Sequence, residues 1–160
     1  MSDVRILPWA PERAGDFERI NREWIEAMFV LETIDEAVIT DPQTHIIDKG
    51  GDVLFAEVNG LGVVGAGALK PYGDGAVELT KMGVLEAARG RKIGEPLLKA
   101  LIARAGEMDV DDLYLLTNAR CEAAIHLYEK NGFEHAEEVM QRYGGGYCRC
   151  DVAMRWTGAR

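Results

Sequence analysis

Between Gly83 and Ile102 the residue pattern changes period. An apolar, strand-like run gives way to a short basic turn, Arg89-Gly90-Arg91-Lys92. Ile93, Leu97, Leu98, Leu101, Ile102 and Ala105 then recur at helical spacing. A helix that opens out of such a loop exposes unpaired N–H groups and the positive end of its dipole, which suits a phosphate. Pro96 is tolerated only in the first turn, where its missing N–H costs nothing. The helix is therefore expected to begin near Ile93, leaving the amides of the preceding loop unengaged. About 25 residues downstream, Leu127 to Phe133 read LYEKNGF and are expected on a second helix.

The flanking segments define a mixed α+β chain around one largely antiparallel sheet. Val4 to Leu7 reads as a short strand. Pro11 opens a helix with Phe17, Ile20, Trp24, Ile25 and Met28 on one face. A shorter helix from about Thr33, carrying Ile34, Val38 and Ile39, should stop before Pro42. Gly50-Gly51 is a turn. Asp52–Val58 and Leu61–Leu69 are strands joined by Asn59-Gly60, a type I′ hairpin signal that requires positive φ at both residues. Pro71-Tyr72-Gly73-Asp74-Gly75 turns the chain into a third antiparallel strand, Ala76–Leu85. Leu113–Thr117 is a strand after the long helix. Two final strands are expected around Val139 and Val152, separated by Gly144-Gly145-Gly146.

At 160 residues the chain is expected to form one domain, residues 1–160. A domain of this size buries roughly 68–70% of its unfolded surface and needs no disulfide or metal staple. Cys121, Cys148 and Cys150 are read as plain thiols. They share no ligand spacing with His45, His126 or His135, so no metal is expected. The formal net charge of −9 argues against broad nucleic-acid binding. It is compatible with a cationic substrate and equally with simple solubility. No apolar run reaches the length of a membrane span, and the opening residues lack a signal-peptide core. The expectation is a cytoplasmic protein with no membrane partner.

One motif is a decoy. Gly60-Leu61-Gly62-Val63-Val64-Gly65 matches the G-x-G-x-x-G dinucleotide fingerprint, with Glu78 near the expected downstream distance. It starts in a hairpin turn and runs into a strand, however, where the fingerprint should open a helix. These glycines are better read as turn and strand positions.

The segment ELTKMGVLEAARGRKIGEPLL, followed by LYLLTNARCEAAIHLYEKNGF, resembles the GNAT superfamily of acetyl-CoA-dependent N-acyltransferases. The element order extends the resemblance over essentially the whole chain. It implies a GNAT-like fold: a mostly antiparallel mixed sheet of about six to seven strands, flanked by about four helices and splayed at the acetyl-CoA site. Arg89, Gly90, Arg91, Lys92, Ile93 and Gly94 would form the loop that cradles the pyrophosphate. Lys92 departs from the family pattern, which most often has glycine there. Either its backbone adopts the same conformation, with the ammonium near a phosphate, or the loop is reshaped. Met82 and Val84 would pair with the pantetheine arm, and the Met82 N–H would face the acetyl oxygen; the Met82 side chain would pack in the core.

The resemblance also implies an N-acetyltransferase in which an amine attacks the thioester directly. Tyr128 stands where the family commonly places a phenol that protonates the departing thiolate; the alternative is a ring packed on the sheet. Glu78 matches the glutamate base of the histone-acetyltransferase branch. Strand alternation would put it on one face with Thr80, Met82 and Val84. An ion pair or substrate positioning is the alternative role for Glu78. Asn118 follows its strand as a coenzyme contact or a turn former, and the family's more usual asparagine position holds Cys121. The acceptor would lie among Trp24, Phe29, Glu32, Asp35, Tyr72, Tyr143, Tyr147 and Arg149, with Trp24 the better candidate for the core. Carboxylates and aromatics there suit a cationic amine, whereas an arginine suits a carboxylate. The partner is thus a small-molecule or amino-acid-like amine. A catalytically idle acyl-CoA-binding module and a protein N-terminal or lysine acetyltransferase are the alternatives. Family habit also allows a homodimer.

Overall fold

A computed structural model of the chain describes residues 4–73, 75–144 and 149–158. Seven strands form one sheet in the order β1-β2-β3-β4-β5-β7-β6. They are β1 (Val4–Leu7), β2 (Asp52–Val58), β3 (Gly62–Pro71), β4 (Ala76–Val84), β5 (Asp112–Thr117), β6 (Phe133–His135) and β7 (Val152–Trp156). Only β4 and β5 are parallel neighbours; every other pair is antiparallel. The helices are α1 (Ala14–Met28), α2 (Thr33–Thr40), α3 (Pro42–His45), α4 (Gly94–Glu107), α5 (Glu122–Lys130) and α6 (Glu137–Tyr143). The expected GNAT-like α+β architecture is what the chain adopts, with α3 and α6 as short additions.

The two faces of the sheet carry separate cores. On one face α4 presents Leu97, Leu98 and Leu101, all fully buried, against Leu69, Val77 and Leu79. Burying each such leucine stabilises the fold by roughly 1.5–3 kcal/mol. On the other face α1 and α2 bring Phe17, Ile20, Val38 and Ile39 onto Val53, Phe55, Ala66 and Ala68. Ile34 is on the outer side of α2 and exposed. Helix α6 closes the second half of the sheet by setting Val139 and Tyr143 on Ala76, Tyr114 and Ala153.

Three local expectations are corrected. The hairpin at Asn59-Gly60 is not type I′: Gly60 has a φ of 85° but Asn59 is not in the positive region. Instead the Leu61 N–H donates to the Val58 carbonyl at 3.0 Å across a four-residue turn. The LYEKNGF segment leaves the helix at Lys130, and Phe133 already belongs to β6. No strand forms around Val139, which is buried in α6. Val139 and Tyr143 are four residues apart behind two glutamates, so the helical spacing wins. Asp74, Gly145, Gly146, Tyr147 and Cys148 lie outside the described residues.

Candidate functional site

The site begins where the sheet comes apart. Strands β4 and β5 pair from Ala76↔Asp112 to Leu79↔Leu115 and no further. Beyond Leu79, β4 carries one extra residue relative to β3, since Ala68 pairs with Thr80 but Ala66 with Gly83. Lys81 sits in this bulge with a φ of 53°. A bulge bends its strand and resets which face each side chain takes. Glu78 therefore does not share a face with Met82 and Val84, contrary to simple alternation. Val77, Leu79, Met82 and Val84 pack with the α4 core. On the α1 face, a Cβ on Gly83 would lie 2.3 Å from Trp24 Cδ1.

Two adjoining cavities with shared walls occupy the gap. A cleft of about 410 Å³ runs between β4, α5 and the start of α4, with Val84, Arg89, Gly94, Thr117, Arg120 and Leu127 in its walls. A chamber of about 50 Å³ lies on the far side and is lined by Phe29, Thr80, Lys81, Asn118, Arg149 and Cys150, among others. Trp24, Met82, Thr117, Cys121 and Tyr128 line both. Trp24 is thus a wall of the site rather than a core residue; its Nε1 donates to Asn21 Oδ1 at 2.9 Å.

At the mouth of the cleft the loop before α4 turns through two left-handed residues, Gly90 (φ 86°) and Lys92 (φ 58°). Lys92 therefore adopts the backbone conformation that glycine favours. The Arg89 N–H donates to Glu86 and the Arg91 N–H to Ala88. Among the described residues the N–H groups of Gly90, Lys92, Ile93, Gly94 and Glu95 have no protein acceptor. Pro96 is the third residue of α4. This is a row of backbone donors at a helix start. The Ile93 side chain is buried in the core, and Gly94 touches the cleft with Leu127 beside it.

Tyr128, 8% exposed, stands at the junction of the cavities with its ring edge-on to Phe133 at 5.8 Å. Burial raises its pKa, so the phenol keeps its proton at neutral pH. Asn118 is engaged by protein: its Nδ2 donates to the Arg149 carbonyl at 2.6 Å and its Oδ1 accepts from the Arg120 N–H at 2.8 Å. That is the turn-forming role. Glu78 is 6% exposed and lines neither cavity. Burial lifts its carboxyl above the ordinary 4.5, against the pull of Lys81 and Lys70.

A buried charge cluster underlies the chamber. Arg149 donates from Nη1 and Nη2 to Asp35 at 2.6 and 2.7 Å, and from Nη1 to Glu32 at 3.1 Å. Lys81 Nζ lies 3.1 Å from Asp35 Oδ1, with the two side chains 2% and 0% exposed. The Glu32 N–H adds a bond to Asp35 Oδ2 at 3.0 Å, part of the capping box of α2. Burial alone would raise the Asp35 pKa, but Arg149, Lys81 and the Glu32 amide together hold it below 3.8. Burial pushes the Cys150 thiol up to about 11, so it stays protonated at neutral pH. Tyr72 and Tyr143 do not reach the cavities. Tyr143 stacks on Tyr114 with centroids 4.1 Å apart, and Tyr72 meets both rings edge-on. Lys81 and Cys150 are site residues that sequence reasoning missed. A lysine in a mostly buried strand is the available signal for the first.

The profile of the Acetyltransferase (GNAT) domain matches residues 49–135, more than half of the chain. The chain belongs to the GNAT acetyltransferase family. It is 36% identical over 95 residues to the uncharacterized N-acetyltransferase YjgM of Escherichia coli (strain K12), covering 58% of this chain and 56% of that protein. It is 30% identical over 138 residues to a mycothiol acetyltransferase of Corynebacterium aurimucosum, covering 81% of this chain and 40% of the relative. The chain thus spans about half the length of the curated relatives it matches. Among solved structures, a GNAT-family acetyltransferase from Staphylococcus aureus Mu50 superimposes with a TM-score of 0.83 at 19% identity, over 96% of this chain and 98% of the other. A phosphinothricin acetyltransferase from Sinorhizobium meliloti, solved in complex with AcCoA, gives 0.75 at 18% identity, over 96% and 87%. At these identities the two structures bear on the fold. Among the described residues, no helix is long and apolar enough to cross a membrane, and no cluster of three or more His, Cys, Asp or Glu is placed to hold a metal ion.

Proposed function

We propose that this GNAT protein is an N-acetyltransferase that moves an acetyl group from acetyl-CoA to the primary amine of a small acceptor by direct attack. The observation that carries the reading is the meeting of a long cleft and a small chamber at Met82 and Tyr128, in the gap between parted parallel strands. The cleft fits the extended arm of coenzyme A, and the unpaired N–H groups of Gly90 and Lys92 to Glu95 fit its pyrophosphate. Acetyl-CoA, when bound, supplies the activated acyl thioester. The chain supplies position and proton transfer. The Met82 N–H holds the acetyl oxygen. Tyr128, kept neutral by burial, donates a proton to the departing thiolate. Glu78 does not reach the chamber, so it takes the amine proton through water rather than directly.

A chamber of about 50 Å³ accommodates a compact amine head more readily than a folded protein segment, which favours a small molecule over a protein N-terminus. The test has two arms. Calorimetry with coenzyme A should give saturable heat, and acetyl-CoA with a panel of primary amines should release thiol. Saturable binding with no turnover on any amine would move the protein to the class of idle acyl-CoA-binding modules; absence of binding would end the reading altogether.

A further inference from the structure

We propose that Cys121 is a modification site: when peroxide enters the chamber of the loaded protein, the Cys121 thiol is joined to coenzyme A as a mixed disulfide. The inference rests on the proposed seating of coenzyme A in the cleft and adds a second fate for its thiol. Cys121 is the N-cap residue of α5, and its thiol is free and half-buried. It lines both the cleft and the chamber, whereas Cys150 lines the chamber alone. The Cys121 backbone is fixed on both sides, its N–H donating to the Asn118 carbonyl at 2.9 Å and its carbonyl accepting from the Ile125 N–H at 3.0 Å. With the backbone held, a single side-chain rotation decides where the sulfur points.

A second group at the same junction awaits a ligand. Tyr128 is 8% exposed, it too lines both cavities, and among the described residues its hydroxyl makes no hydrogen bond. A buried phenol without a protein partner calls for one from elsewhere. In the proposed reaction that partner is the coenzyme sulfur. Cys121 is close to Tyr128: after burial, it is the group that raises the phenol's pKa. A sulfur brought to Tyr128 is therefore brought to Cys121 as well. The two thiols then share one small space, at an effective concentration that a thiol in solution does not match.

The chemistry needs only hydrogen peroxide as oxidant, and a chamber of about 50 Å³ admits a molecule of that size. The Cys121 sulfur attacks one peroxide oxygen. An S–O bond forms, the O–O bond breaks, the sulfur is oxidised to a sulfenic acid and the peroxide is reduced to water. The coenzyme thiolate then attacks the Cys121 sulfur. An S–S bond forms, the S–O bond breaks, and the departing hydroxide is protonated to water. In sum, two thiols and one peroxide give one disulfide and two waters. Cys150 is a poor competitor for the peroxide, because burial keeps its thiol protonated. The adduct leaves coenzyme A in the cleft and excludes acetyl-CoA until a reductant releases it.

The experiment uses the wild-type chain with hydrogen peroxide and either coenzyme A or glutathione at the same concentration, read by intact mass and by mapping of the modified peptide. The inference expects one coenzyme A per chain, on Cys121, formed about tenfold or more faster than the glutathione adduct. Dithiothreitol should release it. Excess desulfo-coenzyme A, which fills the cleft but has no sulfur, should suppress it. Cys121→Ser should lose the adduct and Cys150→Ser should keep it. Equal rates for coenzyme A and glutathione, an adduct mapped to another cysteine, or a Cys121–Cys150 disulfide formed in its place each overturn the inference. So does the absence of any adduct while calorimetry shows coenzyme A bound. These outcomes leave the acetyltransferase reading standing, whereas absence of coenzyme A binding in calorimetry ends both. The wild-type peptide map decides even where a variant does not fold.

Discussion

Asp35→Asn removes one negative charge from beneath two buried cations while keeping the shape of the side chain. In the native protein that carboxylate accepts two bonds from Arg149, pairs with Lys81 at 3.1 Å and caps α2 through the Glu32 amide. An asparagine offers one acceptor oxygen and turns an NH₂ group toward existing donors. Removing one partner of a buried ion pair costs about 3–5 kcal/mol, because the remaining charge stays buried without compensation. For a domain of this size each kcal/mol shifts Tm by about 2–4 °C, so Tm should fall by roughly 6–20 °C. The pH dependence has a definite sign. The Asp35 carboxyl is held below 3.8 in the folded protein. Its stabilisation is therefore complete above the unfolded value and is lost as pH falls through the lower folded value. Urea unfolding followed by tryptophan fluorescence should show the widest gap between wild type and Asp35→Asn at neutral pH, narrowing in acid. A variant within about 1 kcal/mol of wild type at pH 7, the range of an exposed pair, would refute the reasoning. So would a gap that stays constant on acidification.

Three further outcomes are expected. Gly83→Ala would place a Cβ 2.3 Å from Trp24 Cδ1 and 2.6 Å from its Nε1, displacing the indole. It should cost about 1–3 kcal/mol and weaken coenzyme A binding in calorimetry, and an unchanged urea midpoint and affinity would argue against Trp24 as a wall of the cleft. Tyr128→Phe should lower kcat by ~100-fold or more while coenzyme A affinity holds; an undiminished kcat would retire the acid role. Glu78 has a raised folded pKa, so ionising it as pH climbs from 4.5 costs stability. Glu78→Gln should therefore gain stability relative to wild type at neutral pH and lose the ascending limb of the kcat/KM profile, and a profile identical to wild type would exclude Glu78 as the base.

The parts of the fold that rest on local rules were readable in advance. Helical spacing from Ile93 to Ala105, Pro96 in the first turn and the break before Pro42 all depend on near neighbours in the chain. So does the failure of the dinucleotide fingerprint, since Gly60 and Gly62 bracket a turn and Gly65 is in β3. The site was only partly readable, because its geometry turns on the bulge. Nothing in Thr80-Lys81-Met82-Gly83 marks an inserted residue, and one insertion reverses every side chain after it. Simple alternation therefore groups Glu78 with Met82 and Val84, although it faces away from them. Helical periodicity points Trp24 toward the core, because it locates a face but not the gap that the face meets. The clustering of Asp35, Lys81 and Arg149 joins three distant segments and leaves no local trace beyond one lysine in a mostly buried strand. Tyr72 and Tyr143, near the acceptor site by chain position, instead form an aromatic cluster with Tyr114, Tyr143 stacked on it and Tyr72 edge-on.

A sheet normally ends in rims that other chains can extend, and such rims invite association. By parting β4 from β5 below Leu79, this fold carries two additional rims within its own interior. Trp24 and α5 wall them off. A slender, extended molecule can slip between these hidden rims where a foreign β-strand, with side chains on both faces, would collide with the indole. The opening proposed to receive coenzyme A is thereby shielded from the strand addition that open sheets invite.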